Sequence, residues 1–191
     1  MVSPIDSGHA PKKEKTVISG SFLKTGQFYA SSVIQLLIEP GLFFWELPEK
    51  ITLKRTLGFM MICSVFFAGA SLLTGDYSRS VWKMAGIFFI NAFGMMLISS
   101  FLGYVAMVMV NGRQYSFSLV LGIYAFSWGL TLFLSWLPFF VWLTEPWKWW
   151  LIYTGFRNTC GISRKKSLII LVISMTVQFF LIYSALLAFV R

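Results

Sequence analysis

Two amides and one pair of opposite charges are the side chains within the apolar stretches of this sequence that could do chemistry. Glu145 and Lys148 are three residues apart, so on a helix they share a face and can form an ion pair. Such a pair is either an interfacial contact among neighbouring tryptophans or a buried site that lines a cavity. Asn91 and Gln178 lie in long apolar stretches, where an amide needs a hydrogen-bond partner. Each amide therefore either joins two helices or contacts a partner protein or lipid.

Residues for catalysis or metal binding are scarce in this chain. The single histidine, His9, lies in a polar N-terminal segment, and two cysteines, Cys63 and Cys160, are too few for a disulfide framework. General acid–base and nucleophilic catalysis need positioned groups with matched pKa values. We therefore predict no catalytic residue, no cofactor and no metal, and a protein that is not an enzyme.

Apolar stretches of about 20 residues recur along the chain, and they must position the polar side chains. Of the 191 residues, 57% are hydrophobic and 12% are charged, whereas ordinary globular proteins are about 25% charged. This pattern predicts an all-α, polytopic membrane protein with five transmembrane helices, at about 57–75, 84–110, 117–136, 141–160 and 167–190. All but the fourth contain no charged residue and no histidine, which argues against an ion-coupled transporter.

The N-terminal part of the chain precedes these spans. Residues 1–26 are polar and predict a flexible tail. Residues 27–39 have apolar side chains at helical spacing but are too few to span, so we predict an amphipathic helix at the membrane interface that ends at a Pro-Gly pair. The predicted organisation is therefore the tail, an interfacial segment at 27–55 and a five-helix transmembrane domain at 56–191.

Positive charge is distributed unevenly between the loops. The five spans place twelve of the 16 Lys and Arg residues on the side of the N-terminus, and the more positive side is cytoplasmic. We therefore predict a cytoplasmic N-terminus and an external C-terminus. The net charge of +9 is explained by this anchoring, and because the sequence has no nucleic-acid-binding motif, we predict no nucleic acid as a partner. The cytoplasmic cluster before the last span consists of Arg157, Arg164, Lys165 and Lys166.

Short motifs follow one another in a characteristic order over residues 35–190. They are Glu39-Pro40 and Phe43-Phe44 before the first span, Trp136-Leu137-Pro138 after the third, and Gly155 and Gly161-Ile162-Ser163 before the last. In this order and spacing the sequence resembles the Yip domain family of Ypt-interacting membrane proteins. The resemblance implies a five-helix membrane protein whose N-terminus lies in the cytoplasm.

The resemblance also implies a class of function. Eukaryotic members of the family bind prenylated Rab-type GTPases and act in vesicle traffic between the endoplasmic reticulum and the Golgi. Those members carry an acidic stretch near the first span, where this chain has Leu-Lys-Arg-Thr-Leu at residues 53–57. We therefore expect a prokaryotic member that resides in a bacterial inner membrane.

Two functions are compatible with these observations. The first is a noncatalytic membrane protein that organises or recruits partner proteins at its cytoplasmic face, formed by residues 27–55 and 157–166. Its candidate contacts with a partner or with lipid are Phe43, Phe44, Arg157, Arg164, Lys165 and Lys166. The alternative is a small oligomeric transporter, channel or lipid-handling protein. Its path would be lined by Asn91, Gln178, Glu145 and Lys148.

The expected partners are membrane lipids, another membrane or cytoplasmic protein, and a second copy of the chain. Small residues that recur four apart, such as Ser99 and Gly103, let two helices approach closely. They serve either packing within the chain or a homodimer face.

Overall fold

The computed structural model describes residues 14–74 and 80–190, and every regular element within these ranges is helical. The helices are α1 (Glu14–Ile38), α2 (Pro40–Lys50), α3 (Leu53–Thr74), α4 (Val81–Asn111), α5 (Phe117–Ser135), α6 (Val141–Cys160) and α7 (Arg164–Val190), with one 3-10 turn, Pro138–Phe140. Residues 1–13 of the predicted tail lie outside the described residues. Arg79 and Arg191, which counted toward the charge on the external side, lie outside them too.

Four of the described helices are long and apolar enough to cross a membrane. They are α3, α4, α5 and the Arg164–Ser184 part of α7, and they confirm the prediction of an all-helical, polytopic membrane protein. Helix α6 has 20 residues, but it is not among the four. Its sequence contains Glu145, Lys148 and Arg157, which lower its hydropathy. The fifth predicted span therefore stays a prediction.

A helical hairpin, α1 and α2, precedes the spans. Helix α1 begins at Glu14, so residues 14–26, which we expected in the flexible tail, are helical. The next helix begins at Pro40, where the missing N–H of proline is not needed for helical hydrogen bonding. The location of this hairpin at the membrane interface stays a prediction.

The central helix of the bundle is α5. Its 13 residues from Val120 to Leu132 are all buried, because α2, α3, α4 and α6 pack around it. Phe126 stacks on Phe59 of α3 with ring centroids 4.4 Å apart, and Phe133 contacts Phe66 of the same helix at 4.9 Å. These two pairs show that α3 and α5 run in the same direction.

Polar contacts at two levels show that α4 and α7 run in opposite directions. Ser99 Oγ of α4 donates a hydrogen bond to Gln178 Oε1 of α7, with the atoms 3.0 Å apart. At the other level, Lys166 Nζ at the start of α7 donates to Asn111 Oδ1 at the end of α4, also at 3.0 Å. Hydrogen bonds of this kind satisfy side chains that lipid cannot.

Small residues on α4 face the inside of the bundle. Ser99 is fully buried, and a Cβ atom on Gly103 would overlap the ring of Tyr124 on α5. The Tyr124 hydroxyl lies 3.0 Å from Ser174 Oγ on α7. Tyr124 therefore contacts both α4 and α7 at this point. The Ser99 and Gly103 pair therefore serves packing within the chain.

Candidate partner-binding end and the groove beside the ion pair

The connections that the charge pattern assigns to the cytoplasm meet at one end of the bundle. The Tyr115 hydroxyl, between α4 and α5, donates to the carbonyl oxygen of Cys160 at the end of α6. Burial raises the pKa of the Tyr115 hydroxyl above its ordinary value. Together with the contact between Lys166 and Asn111, this bond joins the ends of α4, α6 and α7. We call this region the basic end and define it by residues 111–116 and 157–166.

The basic end presents its cations to the surroundings. Arg164, Lys165 and Lys166 are exposed, and Arg157 is half-buried. The Arg157 guanidinium lies 5.9 Å from the centroid of the Tyr153 ring. Among the described residues, no carboxylate lies within ion-pair distance of these cations. Their field therefore remains available to an anionic lipid or an acidic protein.

The aromatic pair Phe43 and Phe44 does not belong to this surface. We expected both side chains to contact a partner or lipid, but they are 1% and 0% exposed. Phe43 contacts Phe126 of α5 at a centroid distance of 5.1 Å, and Phe44 lies against Gly155 of α6. The expectation was wrong because α2 packs against α6 with its aromatic face inward. The pair holds the hairpin to the bundle.

The outer edge of α2 carries a polar cluster. The carboxylate of Glu46 accepts hydrogen bonds from Lys50 Nζ and from Gln35 Nε2, the latter at 2.9 Å. Lys50 Nζ also donates to Gln35 Oε1 at 3.1 Å. These donors, Lys50 first, hold the pKa of Glu46 below its ordinary value. The cluster joins α1 to α2 across the turn.

The pair of Glu145 and Lys148 forms as its spacing predicted. Lys148 Nζ donates to Glu145 Oε1 at 2.7 Å. The ammonium group also lies 4.0 Å from the Trp128 ring centroid and 5.1 Å from that of Trp149. The Lys148 side chain is 3% exposed and that of Glu145 is 51% exposed. The lysine is therefore enclosed by aromatic faces, while the carboxylate points outward.

A groove of about 450 Å³ lies beside this pair, between α6 and α7. Glu145 and Gln178, two of the four polar side chains that we predicted inside the membrane, both line it. The other lining residues are Trp149, Met175, Thr176, Phe179, Phe180 and Ile182. Asn91 does not line the groove, and its side chain is exposed on α4. The structure therefore brings together three of the four predicted polar residues, Glu145, Lys148 and Gln178.

A second groove was not predicted from the sequence. It has a volume of about 300 Å³, and its lining is almost entirely apolar. Val33 and Leu37 of α1 form one wall, and residues of α5 and α6, from Leu130 to Trp147, form the other. The apolar spacing of Val33 and Leu37 was visible in the sequence, but the facing wall depends on how the hairpin packs.

Cys63 and Cys160 are both buried as free thiols. Within the described ranges, no group of three His, Cys, Asp or Glu side chains lies close enough to hold a metal ion.

Comparison with known proteins supports the resemblance seen in the sequence. No curated protein and no solved structure shows significant similarity to this chain. The Yip1 domain family matches residues 34–186, which include the hairpin turn, α2 to α6 and most of α7. The chain therefore belongs to the Yip1 domain family of integral membrane proteins.

Proposed function

We propose that this protein is a noncatalytic membrane subunit that recruits an acidic partner protein at its basic end. The observation that carries the proposal is the exposure of Arg164, Lys165 and Lys166. In the part of the chain that the structure describes, no carboxylate lies within ion-pair distance of them. Lys166 is held by Asn111, so the cluster is mounted on the ends of two packed helices. A fixed cluster of like charges steers an oppositely charged partner to the surface.

The proposed topology has five spans, with α6 as the fourth. Helices α5, α6 and α7 are joined by short connections, and α6 packs against both neighbours, as expected for adjacent antiparallel helices. In this topology the basic end faces the cytoplasm, because cytoplasmic loops carry an excess of Lys and Arg. The N-terminus then lies in the cytoplasm and the C-terminus outside. We place the protein in a bacterial inner membrane, as a prokaryotic member of its family.

Charge reversal at the basic end tests the recruitment of a partner. We expect the triple variant Arg164→Glu, Lys165→Glu and Lys166→Glu to lose its co-purifying proteins when it is captured from native membranes in mild detergent. The matched control is Lys83→Glu, an exposed cation at the opposite end of α4. Quantitative mass spectrometry against an untagged strain gives the recovery. Unchanged recovery by a folded triple variant would remove the basic end as the binding surface.

A small oligomeric transporter, channel or lipid-handling protein is the second candidate function. The groove between α6 and α7 supports it, because Glu145 and Gln178 supply polar groups in an otherwise apolar wall. Intramembrane polar groups often mark a path for a substrate. We expect the variant Gln178→Leu to reduce any lipid or ion flux that the protein confers on proteoliposomes. Absence of flux with the unmodified protein would count against this candidate.

A further inference from the structure

The groove between α6 and α7 has its polar groups at a single depth. Glu145 precedes the end of α6 at Cys160 by fifteen residues, and Gln178 follows the start of α7 at Arg164 by fourteen. At a rise of 1.5 Å per residue, both side chains lie about 21–23 Å from the basic end. With α6 as a span, which rests on the proposed topology, this depth falls in the half of the bilayer remote from the basic end.

An anionic group faces the groove at this depth. The Glu145 side chain is 51% exposed, whereas that of its partner Lys148 is 3% exposed. Only Glu145 of the two lines the groove, since the ammonium lies behind it against Trp128 and Trp149. A ligand in the groove therefore meets a carboxylate and cannot reach the lysine. At the exposed carboxylate this arrangement favours a cationic group of a ligand over an anionic one.

A hydrogen-bond donor faces the same groove. Gln178 is 8% exposed, and its Oε1 atom accepts from Ser99 Oγ at 3.0 Å. Because the oxygen is engaged inside the bundle, the Nε2 amide group is the part of Gln178 left to bind a ligand. The groove thus offers one charged acceptor and one neutral donor.

The remaining walls are apolar. Met175, Phe179, Phe180 and Ile182 follow one another along α7 beside the polar groups. Walls of this kind suit acyl chains, and a groove of about 450 Å³ accommodates only part of a phospholipid. A ligand that matches the groove has an ammonium group, a nearby oxygen acceptor and apolar chains on the same molecule.

We propose that this groove binds a phospholipid with a primary ammonium head group, of the phosphatidylethanolamine class. The ammonium donates to the carboxylate of Glu145, an oxygen of the phosphate or glycerol ester accepts from Gln178 Nε2, and an acyl chain runs past Met175 toward the centre of the bilayer. A primary ammonium can donate hydrogen bonds to the carboxylate, whereas a choline head group cannot. Phosphatidylglycerol carries no cation that could pair with the carboxylate, so we expect it to bind more weakly.

Native mass spectrometry of the purified full chain tests the proposal. The probes are phosphatidylethanolamine, phosphatidylcholine and phosphatidylglycerol with identical acyl chains. We expect the ethanolamine lipid to be retained roughly tenfold better than the other two, as loss of one charge-assisted hydrogen bond implies. Free phosphoethanolamine at the same concentration is expected not to displace the lipid, because it lacks the chains that contact the apolar wall.

Two variants test the groove, and the second of them leaves both members of the ion pair in place. Glu145→Gln removes the carboxylate and is expected to abolish the preference for the ethanolamine lipid. Thr176→Trp fills the groove from an exposed position and replaces neither member of the ion pair, and we expect it to lower retention of that lipid in a folded protein. The control Glu49→Gln changes an exposed carboxylate on α2 and is expected to keep the preference.

The same measurements can overturn the proposal. Equal retention of the three lipids by the unmodified protein, or unchanged retention of the ethanolamine lipid by folded Thr176→Trp, would exclude the groove as a site for this head group. Displacement by free phosphoethanolamine would exclude a lipid as the ligand. Charge reversal at the basic end leaves the groove intact, so failure of partner recruitment and failure of lipid binding are distinguishable.

Discussion

The Thr159 hydroxyl of α6 donates a hydrogen bond to the carbonyl oxygen of Phe44 in α2, with the two atoms 2.6 Å apart. In a regular helix this carbonyl would accept from the N–H of residue 48. That residue is Pro48, which has no N–H. Thr159 therefore supplies from another helix the donor that the sequence of α2 lacks. Asn158, one residue earlier, donates to a second carbonyl oxygen of α2, that of Gly41, at 3.0 Å.

Replacing this donor should destabilise the attachment of α2 to α6. We expect Thr159→Val to lower the free energy of unfolding by about 1–3 kcal/mol, because the Phe44 carbonyl is left without a partner. In the background of Pro48→Ala the cost should fall below about 1 kcal/mol, because the alanine N–H can complete the helix. Thermal unfolding of the four proteins in detergent completes the cycle. An equal cost in both backgrounds would show that Pro48 is not the reason for the contact.

Gly155 is the point at which α6 approaches both α2 and α5. A Cβ atom at this position would overlap Ile123 and lie 3.2 Å from the ring of Phe44. We expect Gly155→Ala to destabilise the protein by about 1–3 kcal/mol, as overpacking in a filled interior does. The control is Gly69→Ala in α3, where nothing lies within 4 Å of the added atom. That change should be neutral or stabilising, and stabilisation by both would contradict the close packing.

The ion pair beside the groove should behave as a coupled unit. We expect Glu145→Gln to destabilise the protein by about 1–3 kcal/mol, because it leaves the buried Lys148 ammonium without its half-exposed counter-charge. Adding Lys148→Met should restore much of that loss, since the methionine side chain can occupy the space against Trp128 without a charge. Unfolding temperatures of the single and double variants test the coupling. Additive losses would show that the two residues act independently.

Acid should weaken the hairpin through Glu46. Hydrogen bonds from Lys50 and Gln35 hold the pKa of Glu46 below its ordinary value of 4.5. Since the folded pKa is the lower one, the stabilisation is complete above the ordinary value and is lost as the pH falls through the lowered pKa. We expect Glu46→Gln to be less stable than the unmodified protein at neutral pH and equally stable in strong acid. A stability difference that is independent of pH would contradict the role of the carboxylate.

Removing the exposed amide of Asn91 should stabilise the protein. Its side chain lies on the outer face of α4, where hydrocarbon offers no hydrogen-bond partner. We expect Asn91→Leu to raise the unfolding temperature in lipid nanodiscs that hold one copy of the chain. Ile90→Leu, a substitution at a neighbouring exposed position, is the control and should change little. A lower unfolding temperature would show that the amide has a partner within the chain.

Much of the architecture was predictable because the relevant properties are local. A helix in hydrocarbon must satisfy its own backbone hydrogen bonds, so the length and hydropathy of a segment are sufficient to place α3, α4, α5 and α7. The spacing of Glu145 and Lys148 was likewise sufficient to predict their contact. Length and hydropathy do not decide whether α6 spans the membrane. They count its three charged residues but take no account of the helices that pack around them.

The burial of individual side chains was decided by contacts between distant parts of the chain. The sequence of Phe43 and Phe44 is equally compatible with a membrane interface and with a protein interior, and only the packing of α2 on α5 and α6 encloses them. Thr159 and Phe44 are 115 residues apart, and no local pattern relates them. Lys148 is enclosed by Trp128 of another helix, whereas Glu145 beside it stays exposed. Hydropathy averages over a segment, but burial depends on which face of that segment another helix covers.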